Sequence, residues 1–111
     1  MAKPPTIDIA PDHLRIVMDI LHGHVPQHPV WAFGSRARGK AKPHSDLDLA
    51  IITDKPLPLA TQAALAEAFS ESDLPWRVDV VDWSTTSAAF RAIIARDKVV
   101  LQPLSALRGA V

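Results

Sequence analysis

Gly34-Ser35-Arg36-Ala37-Arg38-Gly39-Lys40-Ala41-Lys42-Pro43-His44-Ser45-Asp46-Leu47-Asp48-Leu49 couples a Gly-Ser turn, four evenly spaced cations and an Asp-x-Asp pair. That combination suits a site handling phosphate and a divalent metal together. Just upstream, Val30-Trp31-Ala32-Phe33 is a short apolar run that stops at Gly34, as a buried strand does. Downstream, Leu47, Leu49 and Ile51 alternate with Asp46, Asp48, Ala50 and Ile52. This alternation predicts a second strand over 46–53 with both carboxylates on one face and the large aliphatic side chains on the other. A short helical turn is expected after Ser35, followed by a Lys-Pro-His loop.

Further outward, Leu14, Val17, Met18 and Leu21 follow the i, i+3, i+4, i+7 spacing of an amphipathic helix over 11–22. Pro11 suits its first turn, and Gly23 and Pro26 are expected to end it. A second helix is expected over 58–71, with Leu59, Ala63, Ala66 and Phe69 along its buried side. Residues 76–83 predict a third strand, with Trp76, Val78 and Val80 on one face and Arg77, Asp79, Val81 and Trp83 on the other. Ser84-Thr85-Thr86-Ser87 offers N-caps for a helix over 88–96, buried through Phe90, Ile93 and Ile94. A short strand is expected over 98–101, and residues 1–8 and 102–111 are expected to be tails. Helix, strand, strand, helix, strand, helix, strand predicts an α/β or α+β domain with helices against a mixed sheet.

Composition sets the limits. A chain of 111 residues, 48% hydrophobic and 22% charged, is expected to form one globular domain over 1–111. Twelve basic and twelve acidic residues cancel, so nucleic acid is not expected as the primary partner and no membrane attraction is implied. The basic charge is local: residues 36–45 hold Arg36, Arg38, Lys40 and Lys42 without an acid. The absence of cysteine excludes thiolate chemistry. No signal-like apolar leader or membrane-length run is present in the sequence, so a cytoplasmic protein is expected. Neither G-x-G-x-x-G nor the P-loop pattern occurs.

Carboxylates two apart on a strand lie about 7 Å apart at Cα and repel unless a cation intervenes. Mg²⁺ commonly combines one or two carboxylates with substrate phosphates. The bland alternative makes Asp46 a turn cap and Asp48 a solvated strand residue. Asp79, flanked by Val78 and Val80, is the preferred third carboxylate, because an acid in an apolar strand needs a partner. Three such groups could hold two metals roughly 3.5–4 Å apart. Asp82 competes, but it lies on the opposite face and is expected to bond the following turn. Gly34 and Ser35 would let backbone amides and a hydroxyl meet phosphate oxygens. Arg36 and Lys42 are the expected phosphate neighbours among the loop cations, whose alternative is a solvated charge run. His13, His22, His24 and His28 read as surface residues, with His44 an exception only by its place in the loop.

Gly34-Ser35, ten residues, Asp46-Leu47-Asp48 and a later Asp79 in a Val-rich strand together resemble the nucleotidyltransferases of the DNA polymerase β superfamily. More narrowly, the pattern is similar to the minimal nucleotidyltransferases of that superfamily, over roughly residues 12–100. The resemblance implies a polymerase β-like fold in which Asp46, Asp48 and Asp79 are catalytic and hold two Mg²⁺ ions. Gly34 and Ser35 would hold the β- and γ-phosphates of a nucleotide expected to be ATP. It also implies an acceptor half on another protein, a helical bundle of the HEPN type, acting as substrate-binding subunit or as a toxin that the transferase adenylylates. A hetero-oligomer is expected, with a homodimer as a further arrangement and Leu101, Leu104, Leu107 and Val111 as interface candidates. Two other functions compete: a partner-binding antitoxin without turnover, and a nucleotidyltransferase acting on a small molecule such as a drug.

Overall fold

A computed structural model describes residues 7–103. In chain order the elements are α1 (Pro11–His24), β1 (Val30–Phe33), β2 (Leu47–Ile51), α2 (Leu59–Ser70), β3 (Val78–Asp82), a single 3₁₀ turn (Trp83–Thr85), α3 (Ala88–Asp97) and β4 (Val99–Gln102). The four strands form one sheet in the order β3-β2-β1-β4. β1 runs antiparallel to both β2 and β4, whereas β2 and β3 are parallel, so the sheet is mixed as expected.

Strand alternation divides the interior in two. On one face Val30, Ala32, Leu47, Leu49, Ile51 and Leu101 pack with Val17 and Leu21 of α1 and Leu65 and Phe69 of α2. On the other, Phe33 and Ala50 meet Ile94 of α3, with Trp31, Val81, Trp83 and Phe90 around them. Asp48 belongs to the second face, in the same alternation as Ala50. The helix ends follow local chemistry: Pro11 opens α1 as its first residue. Ser87 Oγ caps α3 by accepting from the Phe90 amide at 3.1 Å. The last turn of α1 extends through Gly23 to His24, and Pro26 follows its C-cap.

Five expectations need correction. α2 buries Leu65 and Phe69, while Leu59 is 82% exposed and Ala63 and Ala66 face solvent. Its many alanines make the helix apolar all round, so its phase is set by the two largest side chains. Leu59 lies about 120° from Leu65 at 100° per residue. In α3, Ile94 is buried but Ile93 is exposed, because a stripe through Phe90 and Ile94 leaves Ile93 at its flank. Ile7 and Asp8 are not a free tail: Ile7 packs on the core, and the Asp8 amide donates to the Arg36 carbonyl at 2.8 Å. Gln102 likewise ends β4 rather than beginning a tail. It is buried, and its amide donates to the carbonyls of Val25 (2.6 Å) and His28 (2.8 Å), tying the sheet edge to the α1–β1 connection. Leu101 is buried in the core and therefore unavailable as an interface residue. Leu104, Leu107 and Val111 lie outside the described residues.

Candidate active site

β1 delivers Gly34 and Ser35, β2 delivers Asp48, and β3 delivers Asp79. In the sheet register Asp48 stands opposite Phe33 on one side and beside Asp79 on the other. Neighbouring strands are about 4.8 Å apart. The Gly34-Ser35 turn, Asp48 and Asp79 therefore follow one another across the sheet, in that order. Asp46 ends the loop one residue before β2 begins.

Gly34 has φ +77°, a region that favours glycine, and a Cβ there would run into the Asp48 carboxylate. Its role is thus a close approach to Asp48 as well as a turn. Beyond it the backbone folds into the expected helical turn, with the amides of Ala37 and Arg38 both donating to the Gly34 carbonyl at 3.1 Å. The Ser35 carbonyl accepts from Arg38 (3.2 Å) and Lys40 (2.9 Å). The amides of Ser35 and Arg36 and the Ser35 hydroxyl have no partner among the described residues, and they stand free for an incoming acceptor.

The acidic row carries uncompensated charge. Burial raises the pKa of Asp48, and the neighbouring Asp79 and Asp46 raise it further. Asp79 is answered by Arg77, whose Nη2 lies 3.1 Å from Oδ1 in an exposed pair. Among the described residues no three carboxylate or imidazole groups already converge on one point. The expected cluster is an open row among the described residues, with Arg77 paired to its outermost member. A donor set of hard carboxylate oxygens, whose mutual repulsion a cation would relieve, fits a divalent ion such as Mg²⁺.

Asp82 is on the other face, held in place at the strand end. Its Oδ1 accepts from Thr53 Oγ1, from the Ser84 amide (3.0 Å) and from Ser84 Oγ (2.7 Å), while Oδ2 accepts from the Leu57 amide at 2.6 Å. These bonds lower its pKa despite burial. It caps the 3₁₀ turn, which matches its expected structural part.

Two cations expected beside phosphate behave differently. Lys42 is exposed on the loop, its amide bonded to Ser45 Oγ at 2.8 Å. Arg36 is 6% exposed, and its guanidinium is directed at carbonyl groups: Ser45 and Asp8 at 2.9 Å, Pro43 at 3.3 Å, and Lys42 at 3.5 Å. Its flat face covers the Trp76 ring at 4.4 Å. Most of its donors are thus engaged by backbone carbonyls. Arg36 and Lys42 pair as phosphate neighbours in the sequence because nothing along the loop distinguishes their surroundings; the difference lies in contacts with Asp8 and Trp76, distant in sequence. Between α2 and the free edge of β3 lies a cleft of about 530 Å³ whose lining includes Phe69, Trp76, Arg77 and Asp79.

The sequence model for polymerase β nucleotidyltransferases matches residues 17–103. The chain belongs to this family. Among relatives of the polymerase β nucleotidyltransferases, a probable protein adenylyltransferase, MntA, of Haemophilus influenzae is 58% identical over 96 residues, which is 86% of this chain and 84% of that one. Its similarity to solved structures extends the family fold to toxin–antitoxin pairs. A crystal structure of a toxin–antitoxin with AMP-PNP superposes with TM-score 0.67 at 24% identity, covering 79% of this chain and 71% of the other. A Shewanella oneidensis tri-AMPylated HEPN toxin in complex with an MNT antitoxin gives TM-score 0.59 at 21% identity, over 79% and 67% of the two chains. At these identities the structural matches establish a shared fold. No helix among the described residues is long and apolar enough to cross a membrane.

Proposed function

We propose that this nucleotidyltransferase moves AMP from ATP to a hydroxyl group on a protein, a HEPN-type helical bundle with which it forms a toxin–antitoxin pair. The observation that carries the chemistry is the register that sets Asp48 between the Gly34-Ser35 turn and Asp79. The observation that carries the acceptor class is the 58% identity to a probable protein adenylyltransferase. Its cytoplasmic setting and hetero-oligomeric state follow from that reading.

The order across the sheet supports a reading of the two ends of an in-line displacement. Ser35 and the free amides at the turn take the β- and γ-phosphates, so the leaving side lies there. Lys42, on the same loop, adds positive charge near that side. Asp46 and Asp48 hold the metal and orient the α-phosphate. Asp79, on the outer strand and farthest across the sheet from the phosphate turn, stands on the side from which an acceptor would arrive. Asp46, Asp48 and Asp79 would hold Mg²⁺, which when bound would stabilise charge on the entering and leaving oxygens and make the acceptor hydroxyl more acidic. The acceptor hydroxyl gives its proton to solvent, its oxygen bonds to the α-phosphorus, the bond from that phosphorus to the bridging oxygen breaks, and its electron pair leaves with pyrophosphate. Arg36 is left out of the nucleotide contacts in this reading, since most of its donors and one face of its guanidinium are engaged elsewhere.

ATP labelled separately at the α and γ positions, incubated with the protein, Mg²⁺ and the partner encoded beside it, tests the proposal. Label from the α position should appear on the partner polypeptide, with γ-label released in pyrophosphate. Transfer of γ-label, or neutralisation of the partner with neither label transferred, would contradict it. Asp79→Asn should abolish transfer while leaving ATP binding measurable.

A further inference from the structure

We propose that Arg36 is a positioning residue that fixes the spacing between the phosphate turn and the metal-binding carboxylates. The inference rests on the nucleotidyl-transfer reading of the site and adds a part that the motif itself does not reveal. Ser35 and Asp46 are separated by ten residues, of which Arg38, Lys40 and Lys42 repel one another and Gly39 adopts φ +69°. Within that loop the backbone is held by few internal bonds, among them Lys40 to Ser35 (2.9 Å) and Ser45 to Lys42 (3.0 Å). The Lys42 amide adds one to Ser45 Oγ, and Arg36 supplies the side-chain bonds that reach across the loop. Its Nε reaches the Ser45 carbonyl, one residue from Asp46, and its Nη2 reaches Pro43 and Lys42.

The same side chain ties the loop to two other parts of the fold. Asp8 and Arg36 exchange bonds in both directions, amide to carbonyl at 2.8 Å and guanidinium to carbonyl at 2.9 Å. Trp76 stacks on the guanidinium at 4.4 Å and itself meets the His13 ring edge-on at 5.9 Å. Trp76 leads into β3, where the Arg77 carbonyl accepts from the Leu47 amide at 2.9 Å. Arg36 thereby links the turn carrying Ser35 to the strands carrying Asp48 and Asp79. A planar fork with five donors can do this; a lysine ammonium, with one point of charge, cannot.

The test is Arg36→Lys, which keeps the charge and loses the fork. Mn²⁺ affinity is read by electron paramagnetic resonance without nucleotide, and ATP affinity by calorimetry, on protein verified as folded by thermal unfolding. Positioning predicts that both affinities fall, Mn²⁺ by about tenfold, as when the support of a metal ligand is removed. A direct phosphate contact predicts unchanged Mn²⁺ affinity with only ATP affinity altered, and a merely stabilising role predicts both affinities unchanged below the melting temperature. Either result overturns the proposal. Trp76→Leu provides a second variant with Arg36 intact: a weaker loss of Mn²⁺ affinity supports positioning, and wild-type affinity overturns it. Failure of the wild-type protein to bind Mn²⁺ or ATP at all would instead sink the nucleotidyl-transfer reading beneath it.

Discussion

Replacing Gly34 with alanine should destabilise the protein by two separable routes. The first is the backbone: φ +77° places an L-residue in the left-handed region, at a cost of about 1–2 kcal/mol. The smaller unfolded-state entropy of alanine offsets about 0.4–1 kcal/mol of that. The second is the Asp48 carboxylate, which lies where the new Cβ would be and must leave its rotamer, costing about 0.5–1.5 kcal/mol. The sum is a loss of about 0.5–3 kcal/mol, or a fall in Tm of roughly 2–13 °C for a chain of this size. Urea unfolding of Gly34→Ala, Asp48→Ala and the double variant measures the two routes apart. Removing the carboxylate should recover about 0.5–1.5 kcal/mol of the alanine cost as coupling energy. An identical cost in both backgrounds would refute the close approach of Asp48 to Gly34 and leave only the backbone conformation to explain the glycine.

Asp48→Asn should stabilise the metal-free protein near neutral pH, although it disables the site. The carboxyl pKa is raised in the folded state, so its contribution to stability is present below the unfolded value and is lost as pH rises through the folded value. Thermal unfolding at pH 7 should show a higher Tm for the variant, and a lower one would mean that the carboxylate is already compensated. Asp82 has the opposite sign: its lowered pKa gives stability that is present above the unfolded value and fades as pH falls through the folded one. Asp82→Ala leaves the Leu57 amide and the Thr53 hydroxyl without their acceptor and should cost about 2–3 kcal/mol in urea unfolding, with its loss at pH 7 larger than at acid pH. Arg77→Gln should raise Mn²⁺ affinity about two- to fivefold, because an exposed ion pair with Asp79 worth ~0.2–1 kcal/mol no longer competes with the metal. Unchanged affinity in a Mn²⁺ titration would show that Arg77 does not guard Asp79.

The strands were legible because each carries a period that only one structure satisfies. Leu47, Leu49 and Ile51 cannot be buried together unless Asp48 faces the other way, and Val78 and Val80 impose the same choice on Asp79. The parallel pairing that sets those two acids side by side then follows from topology. The helices were less legible where contrast was missing: α2 offers alanine on every side, so nothing in its sequence distinguishes a stripe through Leu59 from one through Leu65. Gly34 and Ser35 could be marked as a phosphate turn from their place after a strand, but the approach of Asp48 to Gly34 depends on a register between strands. Arg36 was the hardest. Nothing local separates it from Arg38, Lys40 and Lys42, and its burial comes from Asp8, Ser45 and Trp76, which converge only in three dimensions. The loose end of the sheet misled for the same reason, since Gln102 is held by carbonyls of Val25 and His28 far away in the chain.

Intact-mass spectrometry of the partner polypeptide, after incubation with this chain, ATP and Mg²⁺, addresses the central claim most directly. The wild-type chain should add one or more adenylyl groups to a hydroxyl side chain of the partner, and Asp46→Asn combined with Asp48→Asn should add none. A partner that stays unmodified yet is neutralised equally well by both forms would contradict the account.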